Sequence, residues 1–162
     1  MKLLSEADRK LILKGLLIGT AAAVFISALC YFVSISPTDS DGYRVFLRIP
    51  CGSCRRGIYA AFIPPESAVY APSGVRFIKQ IYCVPGDVIV RKGRWFYCNG
   101  KKIAYALEKT KKGQPLSPWG IRKIVIPEGY FFVKGKSRRS YDSRYYGLIS
   151  KSRITGCYKP LF

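Results

Sequence analysis

An uncharged run from Gly15 to Thr38 constrains the fold of this chain more than any other feature. It contains the apolar stretch GLLIGTAAAVFISALCYFVSIS. A helix that crosses a hydrocarbon core of about 30 Å needs about 20 such residues. The sequence therefore predicts a transmembrane anchor over residues 15–36, which separates a flank of residues 1–14 from a domain of residues 37–162.

The flank before the anchor predicts its orientation. Ser5 stands three residues before Asp8, a spacing typical of a capping box, so we expect the helix to begin within the flank. Basic residues outnumber acidic residues there, which favours a cytoplasmic N-terminus and an external domain. A cleaved signal peptide is the alternative, although its apolar run would be shorter. The flank carries Lys2, Arg9, Lys10 and Lys14 against Glu6 and Asp8.

Charge and missing residue types narrow the function classes. A net charge of +19 in 162 residues favours nucleic acid, an anionic membrane surface or an acidic partner. An external domain argues against nucleic acid as a partner and favours anionic membrane lipid. The chain has no histidine, which excludes Ser-His and Cys-His catalysis and argues against an ordinary zinc site.

Cysteine usage predicts disulfides rather than a metal cluster. Cys51 and Cys54 form one CxxC, and no second CxxC accompanies it. Nor does a thioredoxin-like βαβ pattern surround it. We therefore expect paired disulfides in an oxidising compartment and no metal. The six cysteines are Cys30, Cys51, Cys54, Cys83, Cys98 and Cys157.

The sequence beyond Asp39 is typical of a mostly β domain. Short apolar runs alternate with proline and glycine, and Asn99-Gly100 is a strong hairpin signal. No helical period is sustained outside the anchor. We predict a compact antiparallel β domain on one transmembrane helix. The expected strands are Tyr43–Ile49, Gly57–Ile63, Val75–Val84, Asp87–Val90, Trp95–Cys98, Ile121–Ile126 and Tyr130–Val133.

Lys79 stands out within its strand. Because side chains alternate along a strand, Lys79 shares a face with Phe77, Ile81 and other apolar residues. Burial disfavours the charged ammonium, so a lysine there is a candidate general base. Two other interpretations stay open: the lysine stem can extend to solvent, or the opposite face of the strand can be the buried one.

A lysine base requires a nucleophile, and four hydroxyl residues follow the anchor. Ser34, Ser36, Thr38 and Ser40 would lie near the membrane surface. A Ser-Lys dyad at that height would act on membrane-tethered chains. A polar linker after the anchor is the other interpretation.

The segment from Arg139 to Gly156 encloses one carboxylate, Asp142, among cations and tyrosines. Arg138, Arg139 and Arg144 are its basic neighbours in sequence. This pattern indicates either a solvated basic turn or an acid that holds the loop in place.

Together these segments resemble the signal peptidase I superfamily of Ser-Lys peptidases (S26). They are most similar to its conjugative-transfer branch, the TraF-type pilin-processing peptidases. The Ser140–Gly147 segment resembles the SxDSRYxG box of that branch and is its most specific match. The other matching segments are Arg56–Pro65, the lysine–strand–PGD segment Phe77–Asp87 and the hairpin Cys98–Gly100.

The resemblance implies a role for each matching residue. Lys79 matches the general base, and Ser140 matches the hydroxyl that orients it. Asp142 and Arg144 match an acid and an arginine that brace the site. Alignment back from Arg56-Gly57 places Ser40 at the nucleophile.

The nucleophile assignment leaves alternatives, because the usual SxPxGLY motif is altered in this chain. With Ser40 as nucleophile, Thr38 would supply an oxyanion hydroxyl. Alignment on Gly42 would instead make Thr38 the nucleophile. Ser34-Ile-Ser-Pro-Thr38 resembles the SMxPT motif of leader peptidases, but it stands close to the predicted anchor.

The resemblance implies acyl transfer without a cofactor. A membrane-tethered protein such as conjugative pilin would be cleaved, or cyclised if its own N-terminus captures the acyl group. The domain would then be periplasmic, on a single-pass protein of a bacterial inner membrane. A non-catalytic assembly component of a conjugation or secretion system, reusing the fold, is the alternative.

Overall fold

The computed structural model describes residues 5–36, 41–50, 52 and 54–162. Its first element, helix α1, spans Glu6–Phe32. The Ser5 hydroxyl accepts a hydrogen bond from the Asp8 backbone N–H, and the Asp8 carboxylate accepts one from the Ser5 N–H at 3.1 Å. This is the capping box that the flank predicts.

Helix α1 is long and apolar enough to cross a membrane. Its 27 residues rise about 40 Å in all at 1.5 Å each. Its most apolar part has a mean hydropathy of 2.0, and none of that part is buried against the rest of the protein. These properties fit a membrane anchor, because an exposed apolar helix needs an apolar solvent.

The helix ends earlier than the anchor predicted over residues 15–36. After Phe32 the chain becomes a strand, β1 (Val33–Ile35), which pairs antiparallel with β2 (Val45–Ile49). The sequence extends the predicted anchor past Phe32 because residues 33–36 are uncharged and continue the hydropathy of the helix. Hydropathy alone cannot separate the end of a spanning helix from an adjoining strand.

Eleven strands are formed by the described residues, in two antiparallel sheets. In the larger sheet the order is β1-β2-β11-β3-β4-β9-β10, and in the smaller it is β7-β6-β5-β8. The domain is mostly antiparallel β, as predicted. The remaining strands are β3 (Tyr59–Phe62), β4 (Phe77–Cys83), β5 (Val88–Lys92), β6 (Trp95–Cys98), β7 (Lys101–Tyr105), β8 (Lys123–Val125), β9 (Tyr130–Lys134), β10 (Ile149–Ser150) and β11 (Ile154–Pro160).

The order of the larger sheet brings distant segments together. Strand β11, from the end of the chain, lies between β2 and β3. Strand β4 lies between β3 and β9. Strand β2, near the start of the domain, is therefore connected to β4, the strand that carries Lys79, through the hydrogen-bonded strands β11 and β3.

Three apolar clusters of described residues stabilise these sheets. One, around Ile81 and Val133, packs against the larger sheet, and a second, around Phe96 and Phe132, joins the two sheets. The third, around Phe46 and Tyr59, joins β2, β3 and β11. Along β4 the residues Lys79, Ile81 and Cys83 are buried, while their neighbours are half-buried. The predicted face of this strand is confirmed.

The predicted hairpin at Asn99-Gly100 is also confirmed. It joins β6 to β7, and both residues have positive φ, 49° at Asn99 and 78° at Gly100. Such turns match the twist of the paired strands, and asparagine and glycine tolerate that backbone. Cys83 and Cys98 form a disulfide beside this hairpin.

A one-turn helix, α2 (Ser143–Tyr146), begins in the box that the sequence singled out. Asp142 is its N-cap, with its carboxylate accepting from the Arg144 N–H. Four residues are too few to show a helical period, so the sequence did not predict α2.

Candidate active site

Lys79 and Ser140 line one cavity of about 460 Å³, here called the Lys79 cleft. Its walls come from β1, from β4 with the residues just before it, and from the loop before α2. The lining is mainly apolar, with a few polar groups, which is typical of ligand sites. The lining residues are Ser34, Ile35, Ser36, Ala61, Val75, Arg76, Phe77, Ile78, Lys79, Arg139, Ser140, Tyr141 and Tyr158.

Lys79 is buried, with 6% of its surface exposed. Its Nζ donates to Asp41 Oδ2 at 3.0 Å, and Asp41 is also buried. The attraction between the two charges offsets the cost of removing each from water. The ion pair therefore fixes the lysine head group next to the segment that links the anchor to the domain.

Ser140 is also buried, and its Oγ makes no hydrogen bond to any described residue. Buried hydroxyls normally find a partner, so such an atom requires an explanation. The Lys79 cleft provides one: a bound group or a shifted lysine can reach the hydroxyl from the cavity. The sequence prediction that Ser140 lies beside Lys79 agrees with their shared cavity.

The Asp142–Arg144 ion pair lies below this loop and is fully buried. Arg144 Nε and Nη2 donate to the two carboxylate oxygens of Asp142, each at 2.7 Å. The Arg144 side chain is 3% exposed and the Asp142 side chain is 0% exposed. Asp142 also accepts from the Gly135 N–H at 3.0 Å. Of the two interpretations, the solvated basic turn is wrong: this acid holds the loop in place.

Arg144 also binds the backbone of the loop that carries Ser140. Its guanidinium donates to the carbonyls of Ser140 at 2.7 Å, Arg138 at 3.0 Å and Tyr105 at 2.9 Å. Burial alone would lower the pKa of Arg144, but the hydrogen bonds and charge of Asp142 outweigh it and raise this pKa. The guanidinium is therefore a permanent brace for the Ser140 loop.

A second ion pair joins the other three matching segments. Asp87 accepts from Arg56 Nη2 at 2.7 Å and 2.8 Å, from Asn99 Nδ2 at 2.8 Å and from the Val84 N–H at 2.7 Å. Burial alone would raise the pKa of Asp87. The hydrogen bonds from these donors and the charge of Arg56 lower the pKa by more than burial raises it, so the net shift is downward. This cluster explains why arginine, PGD and NG occur together in the sequence: they join β4, β5 and the β6–β7 hairpin.

The lowered pKa of Asp87 predicts how stability depends on pH. Above its ordinary value of 3.8 the folded carboxylate contributes its full stabilisation, which is lost as pH falls through the lower folded pKa. We expect Asp87→Asn to lower the thermal midpoint of the full chain at pH 7. The difference from the unsubstituted protein should narrow below about pH 4.

The matched control is Glu128→Gln, a change at an exposed acid. Circular dichroism melts between pH 7 and pH 3 would follow all three proteins. A midpoint difference for Asp87→Asn that stays constant to pH 3 would contradict the assigned role.

One group of described residues has the side-chain types of a metal site, but a metal ion does not fit it. Ligand atoms of Cys83, Asp87 and Cys98 lie within 4.8 Å of one another. However, both sulfurs are joined in the disulfide, and Arg56 holds the Asp87 carboxylate. Neither thiolate is available to a metal in this arrangement.

The candidate nucleophiles divide into two groups. Ser34 and Ser36 are half-buried and line the Lys79 cleft. Ser40 and Thr38, the residues that the resemblance favoured, lie outside the described residues. Ser40 immediately precedes Asp41 in the chain, and Asp41 contacts Lys79.

Sequence reasoning missed two features of this site. Asp41 received no role, although its position next to Ser40 was a signal that could have found it. Ser34 was kept as a weaker candidate because it stands close to the predicted anchor. The structure ends α1 at Phe32 and includes Ser34 in the sheet, on β1.

Comparison with known proteins decides the family. The family described as signal peptidase, peptidase S26, matches residues 8–162. The chain belongs to this family. The match covers both the apolar helix and the β domain, so the two parts form one family unit. Membership supports a serine peptidase of the S26 type.

Two kinds of relative are similar to this chain. Signal peptidase I of Bacillus licheniformis is 31% identical over 92% of this chain and 86% of its own length. Conjugal transfer protein TraF of Agrobacterium fabrum is 27% identical over 82% of each chain. A crystal structure of signal peptidase I from Enterococcus faecalis covers 68% of this chain and 97% of its own, with 24% identity and a TM-score of 0.41.

Proposed function

We propose that this protein is a membrane-anchored endopeptidase in which Lys79 is the general base of a Ser-Lys dyad. One observation carries the proposal: Lys79 is buried in a cleft that also contains serine hydroxyls at the end of the apolar helix. Such a cleft receives a chain emerging from the membrane. Family membership supports the same chemistry.

The nucleophile that the described geometry supports best is Ser34. It lies on β1, an edge strand of the larger sheet, and faces the same cavity as Lys79. Rigid strands hold catalytic groups more accurately than loops do. Ser34 also begins the Ser34-Ile-Ser-Pro-Thr38 sequence that resembles SMxPT. Ser40 stays the competing candidate, with Thr38 either as an oxyanion donor or as the nucleophile itself.

The proposed reaction is acyl transfer in two steps. A lysine must be neutral to accept a proton, so the Lys79–Asp41 ion pair describes the resting site, and the ammonium proton passes to solvent before catalysis. Lys79 then takes the serine proton as the serine attacks the scissile carbonyl, and it gives this proton to the amine that leaves when the peptide bond breaks. The Ser140 hydroxyl is available to orient the lysine. Water releases the product from the acyl-enzyme.

The substrate in this proposal is an extended segment of an exported, membrane-tethered protein. Edge strand β1 lies beside the cleft and can pair with such a segment by adding it to the sheet. The TraF relatives favour a conjugative pilin precursor, which would be cleaved or cyclised. The domain would be periplasmic, with the N-terminus of α1 in the cytoplasm of a bacterial inner-membrane protein.

Processing of the co-resident pilin precursor tests this proposal. We expect a mature pilin mass with the unsubstituted chain and the precursor mass with Lys79→Met or Ser34→Ala. Loss of the base removes about 10²- to 10⁴-fold in rate. A mature mass lower by one water would show cyclisation. Intact-mass spectrometry distinguishes all three products.

The matched controls are Ser36→Ala, Thr38→Ala and Ser40→Ala, which remove the other hydroxyls one at a time. If Ser40→Ala alone abolishes maturation, Ser40 is the nucleophile and Ser34 is not. If pilin matures with every variant, the chain is not its peptidase. The alternative, a non-catalytic assembly component, would then be favoured.

The proposal also includes anionic lipid as a partner of the domain. All but four of the 28 basic residues follow the flank, so the charge belongs to the anchor-proximal domain. Attraction to anionic headgroups acts within about 10 Å of the surface.

The altered serine motif is the observation that favours the non-catalytic alternative, and the pilin experiment addresses it directly.

A further inference from the structure

A second cavity lies on the other side of the Ser140 loop, and its lining is basic. Its volume is about 430 Å³, and Trp95 and Tyr105 form an aromatic wall. Five of its ten lining residues are cations and none is acidic. We call it the basic cavity. Its cations are Lys102, Lys134, Lys136, Arg138 and Arg144.

The charges in this cavity are largely uncompensated. Arg144 is paired with Asp142, but the other four cations form no salt bridge with the part of the chain that the structure describes. Like charges that line one cavity repel each other. An anion that enters it would relieve this repulsion, and the partly apolar walls would strengthen its attraction to the cations.

Lys134 distinguishes this cavity from an ordinary basic surface. It is only 9% exposed, although lysine is rarely buried without a carboxylate. Its Nζ donates to the Gly135 carbonyl at 3.1 Å and lies 4.3 Å from the centre of the Tyr82 ring. Both partners are neutral, so they stabilise the buried ammonium but supply no negative charge to neutralise it.

The aromatic wall already binds a cation from the cavity. Lys102 Nζ lies 4.1 Å from the centre of the Trp95 ring, and Trp95 packs on Tyr105 with ring centres 4.8 Å apart. Lys136 Nζ instead donates to the Tyr43 hydroxyl at 2.9 Å, and Tyr43 does not line this cavity. The contact with Trp95 holds the Lys102 ammonium in place before any ligand arrives, which reduces the entropy lost on binding.

We propose that the basic cavity is a binding site for a phosphate group. A phosphate offers several strong acceptor oxygens, and lysine and arginine are its usual partners in proteins. The site is separate from the Lys79 cleft and does not depend on the proposed peptidase activity. The two cavities share one loop, because Arg144 lines the basic cavity and binds the carbonyl of Ser140.

Fluorescence of Trp95 in the full chain, held in neutral detergent, tests this site with inorganic pyrophosphate as the probe. We expect a saturable change that Trp95→Phe removes, although Trp119 remains. Lys102→Gln should weaken binding about tenfold, the effect of losing one charged contact. Lys101→Gln is the matched control, because Lys101 is its exposed neighbour on β7 but does not line the cavity.

Lys134→Met tests the buried charge. We expect it to weaken pyrophosphate binding at least tenfold without lowering the thermal midpoint of the ligand-free protein, because a buried uncompensated charge is replaced by an apolar group. Absence of saturable binding would overturn the proposal. So would equal weakening by Lys101→Gln and Lys102→Gln, since that result indicates diffuse attraction to a basic surface.

Nanodiscs distinguish the two sources of phosphate. In discs of phosphatidylcholine, pyrophosphate should change Trp95 fluorescence as it does in detergent. Discs that contain an equal charge of oleate, which has no phosphate, control for repulsion by the anionic surface. If phosphatidylglycerol weakens pyrophosphate binding more than oleate does, a lipid headgroup occupies the site. If the two anionic lipids act alike, the ligand is a soluble phosphate.

Discussion

Arg144→Lys should destabilise this protein strongly, although the change keeps the positive charge. The guanidinium makes a two-bond contact with Asp142 and binds backbone carbonyls that include Ser140. An ammonium cannot reproduce this planar set of donors. Breaking a buried ion pair costs about 3–5 kcal/mol. For a domain of this size the thermal midpoint should fall by about 10 °C.

Thermal melts of the full chain in detergent measure this effect. Arg122→Lys, at an exposed arginine, is the matched control and should change the free energy of unfolding by less than about 0.5 kcal/mol. Asp142→Asn should destabilise to a similar extent as Arg144→Lys. If Arg144→Lys behaves like the control, the ion pair does not brace the loop.

The second large effect is expected at the Lys79–Asp41 ion pair, where stability and activity should separate. Lys79→Met and Asp41→Asn each remove one half of this buried ion pair, at a cost of about 3–5 kcal/mol. The double variant has no charge to desolvate. Its destabilisation should be smaller than the sum of the two by about 1–3 kcal/mol.

Activity should not follow stability in this series. The double variant, although more stable than the sum predicts, should remain inactive because it lacks the base. Asp41→Asn should keep measurable activity, since Asp41 has no proposed chemical step. If additivity is complete, the two residues are not coupled. If Lys79→Met keeps full activity below its thermal midpoint, Lys79 is not the base.

Much of this site could be predicted from local patterns. The period of two in β4 groups Lys79 with apolar residues on one face, and this is the face that the structure buries. The resemblance to the SxDSRYxG box implied that Asp142 and Arg144 brace the site, and the structure brings the two residues into contact. Asn99-Gly100 specified its hairpin through backbone conformation alone.

Other features depend on contacts between distant segments, which no local pattern contains. Asp41 contacts Lys79 across 38 positions of the chain. Strand β11 enters the sheet between β2 and β3, although its Thr155-Gly156 pair weakens any strand signal. The basic cavity joins residues from β6, β7, β9 and the loop before α2, so its cations appeared in the sequence only as scattered charge.

The choice among the candidate nucleophiles depends on one boundary that hydropathy leaves ambiguous. An apolar, uncharged chain continues through Phe32 into β1, so hydropathy extended the anchor across Ser34. The structure separates the helix from the strand by backbone pairing with β2. That distinction places Ser34 in the cleft and changes which serine the account favours.

Acyl-enzyme trapping tests the central claim most directly. The full chain would be mixed with an activated ester of a short peptide ending in A-x-A, a small-residue cleavage sequence, and quenched with acid. The account predicts one added acyl mass on the intact chain, with fragment ions that place it on Ser34. Lys79→Met and Ser34→Ala should abolish it. An adduct on Ser40 or Thr38, or an adduct that persists in Lys79→Met, would contradict the account.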